Sequence, residues 1–540
     1  MAHIFATLNQ FRKYQLHILI FILTCVALFY RVGEMPLSAD EPIRSLIALD
    51  MEYNGHYVAP ELNGNTYFKK PPLYNWLLLL FFKTFGTHSE LIVRLPSLLS
   101  ILLFGWVIIR VGLTNGLSEN ASFFSAMAWI TGGHLLFYSS LLGHIDVTYS
   151  LVSFLGIYSI YYFSKREEFL KMFLFSYLAM AAGFLMKGLP SILFQGLTLL
   201  AVLFYQKQWR KLFSMTHLLG ALGFVVPMVM YLYAFTRQAD LSTFVQTLWS
   251  ESSSRTVGEK GIWKSIEHLF TFPLQFSVDL FPWSLGFLLF LKKENRHLIW
   301  SQPFLRICIL IFAVNIPVYW LAPDYRARYV FMLTPFILYP TLTLVMHRFN
   351  AQRSRWWNML LIILAGASIY LVQSRQNVEG IVGITQLIML LVFISVLWLV
   401  AQRTSRQIAL VVVLFMLSAR ILYSAIYLPD RIYYSPYTTE KVQGKEIGDM
   451  TKGESLAMYH SNVNLTMLWY IAVGREDLPI TQRDDFKLNS FYLVPSEVLS
   501  DRSNVRTYYR FRRRYLDKPF ELVKFTEYFP DMPKKPTNGK

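Results

Sequence analysis

Apolar runs long enough to cross a bilayer recur from the first residues of this chain to about residue 430, and no other feature constrains its fold so strongly. Each run is about 18–22 residues, which matches a hydrocarbon core of about 30 Å. Thirteen spans are expected, at roughly 14–31, 91–112, 120–141, 145–163, 172–187, 189–205, 214–235, 274–291, 303–322, 329–346, 356–373, 381–401 and 407–428. Segment 73–85, "LYNWLLLLFFKTF", is apolar but too short to cross, and is expected to lie at or re-enter the interface. The first run lacks a small-residue cleavage site, so it is read as a retained span.

Composition agrees. Of the 540 residues, 54% are hydrophobic and 16% are charged, against about 25% charged in soluble domains. Mean hydropathy is +0.37. The fold class is mainly α, a polytopic membrane protein of about thirteen transmembrane helices. The formal net charge is +17. Much of it falls in short loops between spans rather than in the basic patch on a soluble face that nucleic-acid binding requires, so no nucleic-acid partner is expected. Cys25 and Cys308 both lie in apolar runs. No disulfide between them is expected, and there is no CxxC pattern for metal or redox chemistry.

Lys and Arg fix the sidedness. The connections "SKREEFLK", "QKQWRK", "LKKENRH", "HRFNAQRSR" and "AQRTSRQ" alternate with poorer ones such as "LLGH". The positive-inside rule puts the basic set in the cytoplasm, together with the N-terminus and its Arg12 and Lys13. An odd span count then puts the C-terminus outside. The expected organisation is a transmembrane domain over 1–430 and an extracytoplasmic α/β domain over 431–540. Within the first, long external loops fall at 33–90 and 236–273. The tail carries strand-like runs, "SLAMYH", "SFYLVP" and "FELVKF". Its basic, aromatic "RTYYRFRRRYL" reads as a strand or helix that could anchor on anionic headgroups.

Charged groups near a membrane are costly and tend to be functional. Asp40 and Glu41 in "SADEPIRSLIALDM" open the first external loop. They read as the acidic start of a helix with Pro42 in its first turn, and one acid can cap while the other faces a cavity. Tyr67, Lys69 and Lys70 precede Pro71-Pro72. A proline-stiffened loop holding cations suits an anionic headgroup, although lysines also snorkel to headgroup level without a partner. Asp146 in "LLGHIDVTYS", Lys187 in "LMKGLP", His268 in "EHLFTFPLQFSVDLFPW", and Arg326 and Arg328 in "APDYRARYVFMLTP" fall at external ends of spans. Singly, each reads as an interfacial residue. Together they put acids, cations and a histidine on one side of the membrane.

The ordered series "ADEPIRSLIALDMEYNGHYVAPELNGNTYFKKPPLYNWL", "RLPSLLS", "HIDVTYSLVSFLG", "MKGLPSIL" and "RARYVFMLTP" resembles the C-type (GT-C fold) membrane glycosyltransferases. In particular it resembles the bacterial dolichyl-phosphate-mannose-protein mannosyltransferase-like branch that includes the aminoarabinose transferase of lipid A. The resemblance covers about residues 10–350 well, and the later spans and tail in layout more than in motif. It implies a sugar donor linked to polyprenyl (undecaprenyl) phosphate, a membrane-lipid environment, and action at the outer leaflet of the bacterial inner membrane. Lipid A or another glycolipid is the implied acceptor. Asp40 matches the family's first-loop acid at the active site, and Lys70 the lysine before its proline pair. Asp146, Lys187 and His268 fall at positions resembling other cavity residues. Aminoarabinose transferases typically carry an acid before that lysine, where this chain has Lys69. In such relatives that acid and a histidine resembling His268 can bind a divalent metal. A lysine is no substitute for a carboxylate ligand, so carry-over of the metal is not expected, with His268 left as its candidate ligand.

The mechanism this implies is inverting transfer in one step. Lys69, Lys70, Lys187 and one of Arg326 and Arg328 would stabilise the phosphate leaving group electrostatically. Tyr67 and His268 would contact substrate. Asp40 would act as general base toward a hydroxyl acceptor, a contribution of about 10²–10⁴-fold, with Glu41 and Asp146 as the companion acids. A phosphate acceptor would need no base. Three other readings stand beside this one. A protein O-mannosyltransferase-like enzyme shares the donor chemistry. A transporter of lipid-linked substrates would show internal repeats and binding groups near the midplane, which the sequence does not display. A lipid-binding assembly protein would rest on the basic tail alone.

Overall fold

In a bilayer every backbone N–H must find its partner within the chain, and a helix does this locally. The computed structural model describes residues 2–253, 262–322, 326–348, 408–458, 463–478, 490–499, 505–512 and 519–525. Among these residues, five helices are long and apolar enough to cross a membrane: Glu90–Thr114, Phe169–Lys187, Met215–Thr236, Pro303–Trp320 and Ile408–Tyr433. Shorter apolar helices run over Gln15–Phe29, Leu73–Phe85 and Pro190–Tyr205. The helix Leu73–Phe85 has the bounds expected of the segment too short to cross. The expected spans 356–373 and 381–401 lie outside the described residues, as does residue 407.

Two expected spans break near their middle. Segment 120–141 breaks after the helix Glu119–Ile130, resumes over Gly133–Phe137, and ends in a 3-10 turn at Ser139–Leu141. A Cβ at Gly133 would stand 3.2 Å from the Phe281 carbonyl, a tight contact with backbone. Segment 274–291 divides between the helix Ile262–Asp279 and a 3-10 run Trp283–Leu291. Pro282, which has no N–H to continue a helix, stands in the gap.

The chain forms two compact units. The first comprises 1–33, 94–230 and 245–430. In it, the helix Ile145–Ser164 packs on Phe169–Lys187 and Pro190–Tyr205, and Thr334–Arg348 packs on Glu119–Ile130 and Pro303–Asn315. Small residues permit close approach, as membrane helix pairs require. A Cβ on Gly156 would stand 2.8 Å from that of Ala179. Buried polar groups are tied across helices. Tyr339 donates to the Ile108 carbonyl at 2.7 Å, Asn315 to Thr198 at 2.9 Å, and Trp283 to Thr131 at 2.9 Å.

The second unit comprises 34–93, 231–244 and 431–540. Three separated stretches of sequence build it. The helix Glu41–Tyr53 packs on Leu73–Phe85 through Ile47, Met51 and Leu79. Between these helices, β1 (Glu61–Leu62) and β2 (Asn65–Thr66) form a short hairpin. Further strands are β3 (Leu456–Met458), β4 (Phe491–Pro495), β5 (Val505–Arg512) and β6 (Pro519–Phe525), in the order β3-β4-β6-β5. The first pair is parallel and the others antiparallel. The strand-like runs of the tail thus fall on β3, β4 and β6, and the described part of the basic aromatic run, 506–512, on strand β5. Helices Pro436–Met450 and Leu465–Arg475 pack tightly together. The first loop is bound to this tail: Tyr470 donates to Glu90 at 2.9 Å and accepts from the Leu37 N–H at 2.9 Å.

Candidate active site

In the first unit, each charge of the site sits at the helix end that favours it. Asp146 lies in the first turn of Ile145–Ser164, and Lys187 is the last residue of Phe169–Lys187. The helix dipole stabilises an anion at the N-terminus and a cation at the C-terminus. Gly188, at φ +85°, ends the second helix. Arg328 comes from the 3-10 turn Ala327–Val330. These elements bring the three side chains together. Lys187 Nζ lies 2.5 Å from Asp146 Oδ1, and Arg328 Nε lies 3.1 Å from Oδ2.

All three are nearly excluded from solvent, at 3%, 9% and 6% exposure for Asp146, Lys187 and Arg328. Two cations therefore share one carboxylate in a dry setting. Charges of this kind need close partners, because desolvation costs several kcal/mol per ion. Within this trio two cations face one carboxylate. Aromatic faces also meet the ammonium group: Lys187 Nζ lies 4.8 Å from the Tyr149 ring centre and 4.3 Å from that of Tyr329. The Arg328 guanidinium also donates toward the buried His144 ring, with Nε2 at 3.1 Å.

Arg328 reaches from this cluster to a cavity of about 530 Å³, which Arg326, His134, Tyr138, Gln275 and Asp279 also line. Arg326 is exposed there. His134 Nδ1 stands 3.5 Å from Asp279 Oδ1. Two guanidinium groups at one cavity can bind an oxyanion. His268, on Ile262–Asp279, is 6% exposed, and its Nε2 lies 3.2 Å from the Tyr319 carbonyl, as a donor would. Its ring meets Phe272 edge-on at 5.5 Å.

The other expected residues belong to the second unit. Asp40 holds the N-cap position of Glu41–Tyr53, and its side chain makes no capping hydrogen bond. Glu41, fully buried, accepts at Oε2 from the N–H of Ser38, which precedes the helix, at 3.0 Å. Tyr67 accepts a hydrogen bond from Arg44 at 2.9 Å, and Arg44 lies over its ring at 5.1 Å. Lys69 is exposed and Lys70 half-buried, just ahead of the buried Pro71 and Pro72. Pro72 then caps the helix Leu73–Phe85.

Of the ten expected site residues, then, Asp146, Lys187 and Arg328 form one contact network, and Arg326 and Arg328 line one cavity. Sequence reasoning did not single out His144, Tyr149, Tyr329, His134 or Asp279. Two signals were available: Tyr149 is i+3 from Asp146 on a helix and so shares its face, and Tyr329 adjoins Arg328.

The fold and part of the sequence have known counterparts. Residues 69–233 match the model of the dolichyl-phosphate-mannose-protein mannosyltransferase family. The undecaprenyl phosphate-alpha-4-amino-4-deoxy-L-arabinose arabinosyl transferase of Pseudomonas aeruginosa (strain UCBPP-PA14) is 27% identical over 250 residues. That stretch is 44% of each protein, so the chain matches less than half the length of this relative. The crystal structure of ArnT from Cupriavidus metallidurans bound to undecaprenyl phosphate aligns with a TM-score of 0.70 at 16% identity, covering 94% of this chain and 97% of that one. The apo structure of the same protein aligns at 0.68 over the same shares. The chain therefore has the GT-C fold of the aminoarabinose transferase-like proteins, and it is a multi-pass membrane protein.

Proposed function

From the GT-C fold as premise, we propose that the chain is a glycosyltransferase that takes its sugar from a polyprenyl-phosphate donor, as undecaprenyl phosphate is bound by the similar ArnT structure. The observation that carries this reading is the buried Asp146–Lys187–Arg328 cluster, whose Arg328 lines a cavity together with Arg326. Two guanidinium groups at one cavity suit a phosphate.

The reaction forms a bond between the acceptor oxygen and the anomeric carbon while the bond from that carbon to the phosphate oxygen breaks. Charge grows on the phosphate as it leaves. Arg328 and Lys187, held beforehand on Asp146, stabilise that charge without reorganising, which is where such sites gain most, and Arg326 adds a cation at the cavity. Lys69 and Lys70 supply further cations at the donor phosphate. Attack from the opposite face inverts the anomeric centre. Asp40 takes the proton of a hydroxyl acceptor, while a phosphate acceptor arrives ionised and uses Asp40 for orientation. Glu41 supports Asp40 by fixing the start of its helix, and Asp146 orients the two cations. Tyr67 and His268 contact the substrates.

The acceptor in this reading is lipid A or a related glycolipid, at the outer leaflet of the bacterial inner membrane, with the N-terminus cytoplasmic and the tail periplasmic. The family match over 69–233 favours a protein acceptor as the second reading. Mass spectrometry of lipid A and total glycolipids separates them, using cells with and without the gene, complemented by wild type or by Asp40→Ala. A sugar-sized mass increment on lipid A that needs Asp40 is the expected result. An unchanged glycolipid profile with altered glycoproteins moves the acceptor to protein. No change in either would sink the transferase reading.

A further inference from the structure

We propose that Asp50, His56 and Glu61 form a binding site for a divalent transition-metal ion, opening into a cavity of about 790 Å³ within the second unit. The proposal is independent of the transferase reading and uses none of the residues assigned to it.

Local structure delivers the three donors. Asp50 lies in the last turn of the helix Glu41–Tyr53 and is 5% exposed. Gly55, at φ +76°, turns the chain sharply and brings His56 back over that helix end. Glu61 begins β1, whose hairpin turns through Asn63 and Gly64, both at positive φ. Two-residue turns of this kind hold the register of a hairpin, and so the position of Glu61. Asp50 is itself held: Asn54 Nδ2 donates to Oδ1 at 2.9 Å.

The spacing suits one ion. A tetrahedral site with arms of about 2.0 Å has edges of about 3.3 Å. His56 Nδ1 lies 2.9 Å from Asp50 Oδ2 and 3.5 Å from Glu61 Oε2, and one donor atom from each of the three residues falls within 4.8 Å of the others. Among the described residues no other group of three His, Cys, Asp or Glu meets that condition.

The donor set selects the class of ion. One imidazole and two carboxylates suit zinc and its neighbours, whereas calcium and magnesium take oxygen donors. Three protein ligands leave a fourth position for water or a bound molecule. The cavity supplies the room on that side, and Lys452, Glu454 and Arg475 line it farther out. The rival account is a histidine held between two acids by ion pairing alone.

The two accounts differ in a titration of the full-length protein in detergent micelles, stripped of metal by a chelator. The probes are Co²⁺, followed by its visible ligand-field absorption, and Zn²⁺ as competitor. Wild type is expected to take up one Co²⁺ with absorption of low-symmetry nitrogen–oxygen coordination, displaced by Zn²⁺. His56→Gln and Glu61→Gln are expected to weaken binding by more than about 100-fold, since even outer partners of a ligand are worth 10–100-fold. His268→Gln is expected to retain it. Should the ligand variants fail to fold by thermal melting, Asn54→Ala decides, with weakening of about 10–100-fold expected from loss of Asp50's partner. No Co²⁺ uptake by wild type, unaltered uptake by His56→Gln, or uptake lost only in His268→Gln would each overturn the proposal.

Discussion

Asp146 is the residue on which the buried cluster turns, because one carboxylate serves two cations. Asp146→Asn takes from the buried Lys187 and Arg328 the carboxylate they share. Removing one partner of a buried pair costs about 3–5 kcal/mol, so a clear fall in melting temperature is expected. A phosphate-bearing lipid should restore part of it by supplying the missing negative charge. Asp240 gives a second, exposed case. Hydroxyls of Thr243 and Ser242 and the Thr243 N–H bond its carboxylate, holding it well below the usual carboxylate range. A depressed value means this support for the helix Leu241–Ser253 is present above the ordinary carboxylate range. It is lost only as pH falls through the lower folded value. Hydrogen exchange at residues 241–244 should therefore stay slow through mildly acidic pH in wild type and be fast throughout in Asp240→Ala. The sequence exposed these residues unequally. The acidic start of a helix at Asp40-Glu41 was legible, because Pro42 and the charge pattern mark it. Which acid ties down the preceding backbone was not, since that depends on where the Ser38 N–H points. The pairing of Asp146 with Lys187 crosses 41 positions and two helices, and no local pattern encodes it.

At the scale of elements, glycines set how closely helices approach. In Pro436–Met450, a Cβ on Gly448 would come within 2.8 Å of the Ile471 carbonyl and 3.0 Å of Gly474 Cα on the facing helix. Backbone cannot yield as a flexible side chain can. Gly448→Val is expected to cost about 1–3 kcal/mol by overpacking, seen as a lower melting temperature with the same fold by circular dichroism. The short apolar runs of the tail showed its strands, because "SFYLVP" and "FELVKF" are buried almost throughout in β4 and β6. The order β3-β4-β6-β5 was not legible, since pairing is set by contacts between strands distant in sequence. Hydropathy also ran straight through Gly132-Gly133 and Pro282. It measures transfer from water, and the chain breaks at those places for steric and hydrogen-bonding reasons.

For the whole molecule, the sidedness inferred from Lys and Arg can be read with an impermeant thiol reagent on intact spheroplasts. In a background with Cys25→Ser and Cys308→Ser, Arg506→Cys on the exposed face of β5 should be labelled. Lys165→Cys, in a basic connection, should be labelled only after lysis. The reverse pattern would invert the proposed orientation. The division of the chain into units has a consequence in time. The second unit joins residues 34–93 to residues 431–540, with most of the chain between them. At about 5–20 residues per second, the ribosome needs on the order of tens of seconds to make the intervening stretch. Throughout that interval the N-terminal part of the unit has left the ribosome while Tyr470, its partner for Glu90 and Leu37, is not yet translated. The nascent chain is therefore most open to proteases and quality control early in synthesis, and a stop codon late in the gene would harm the segment made first.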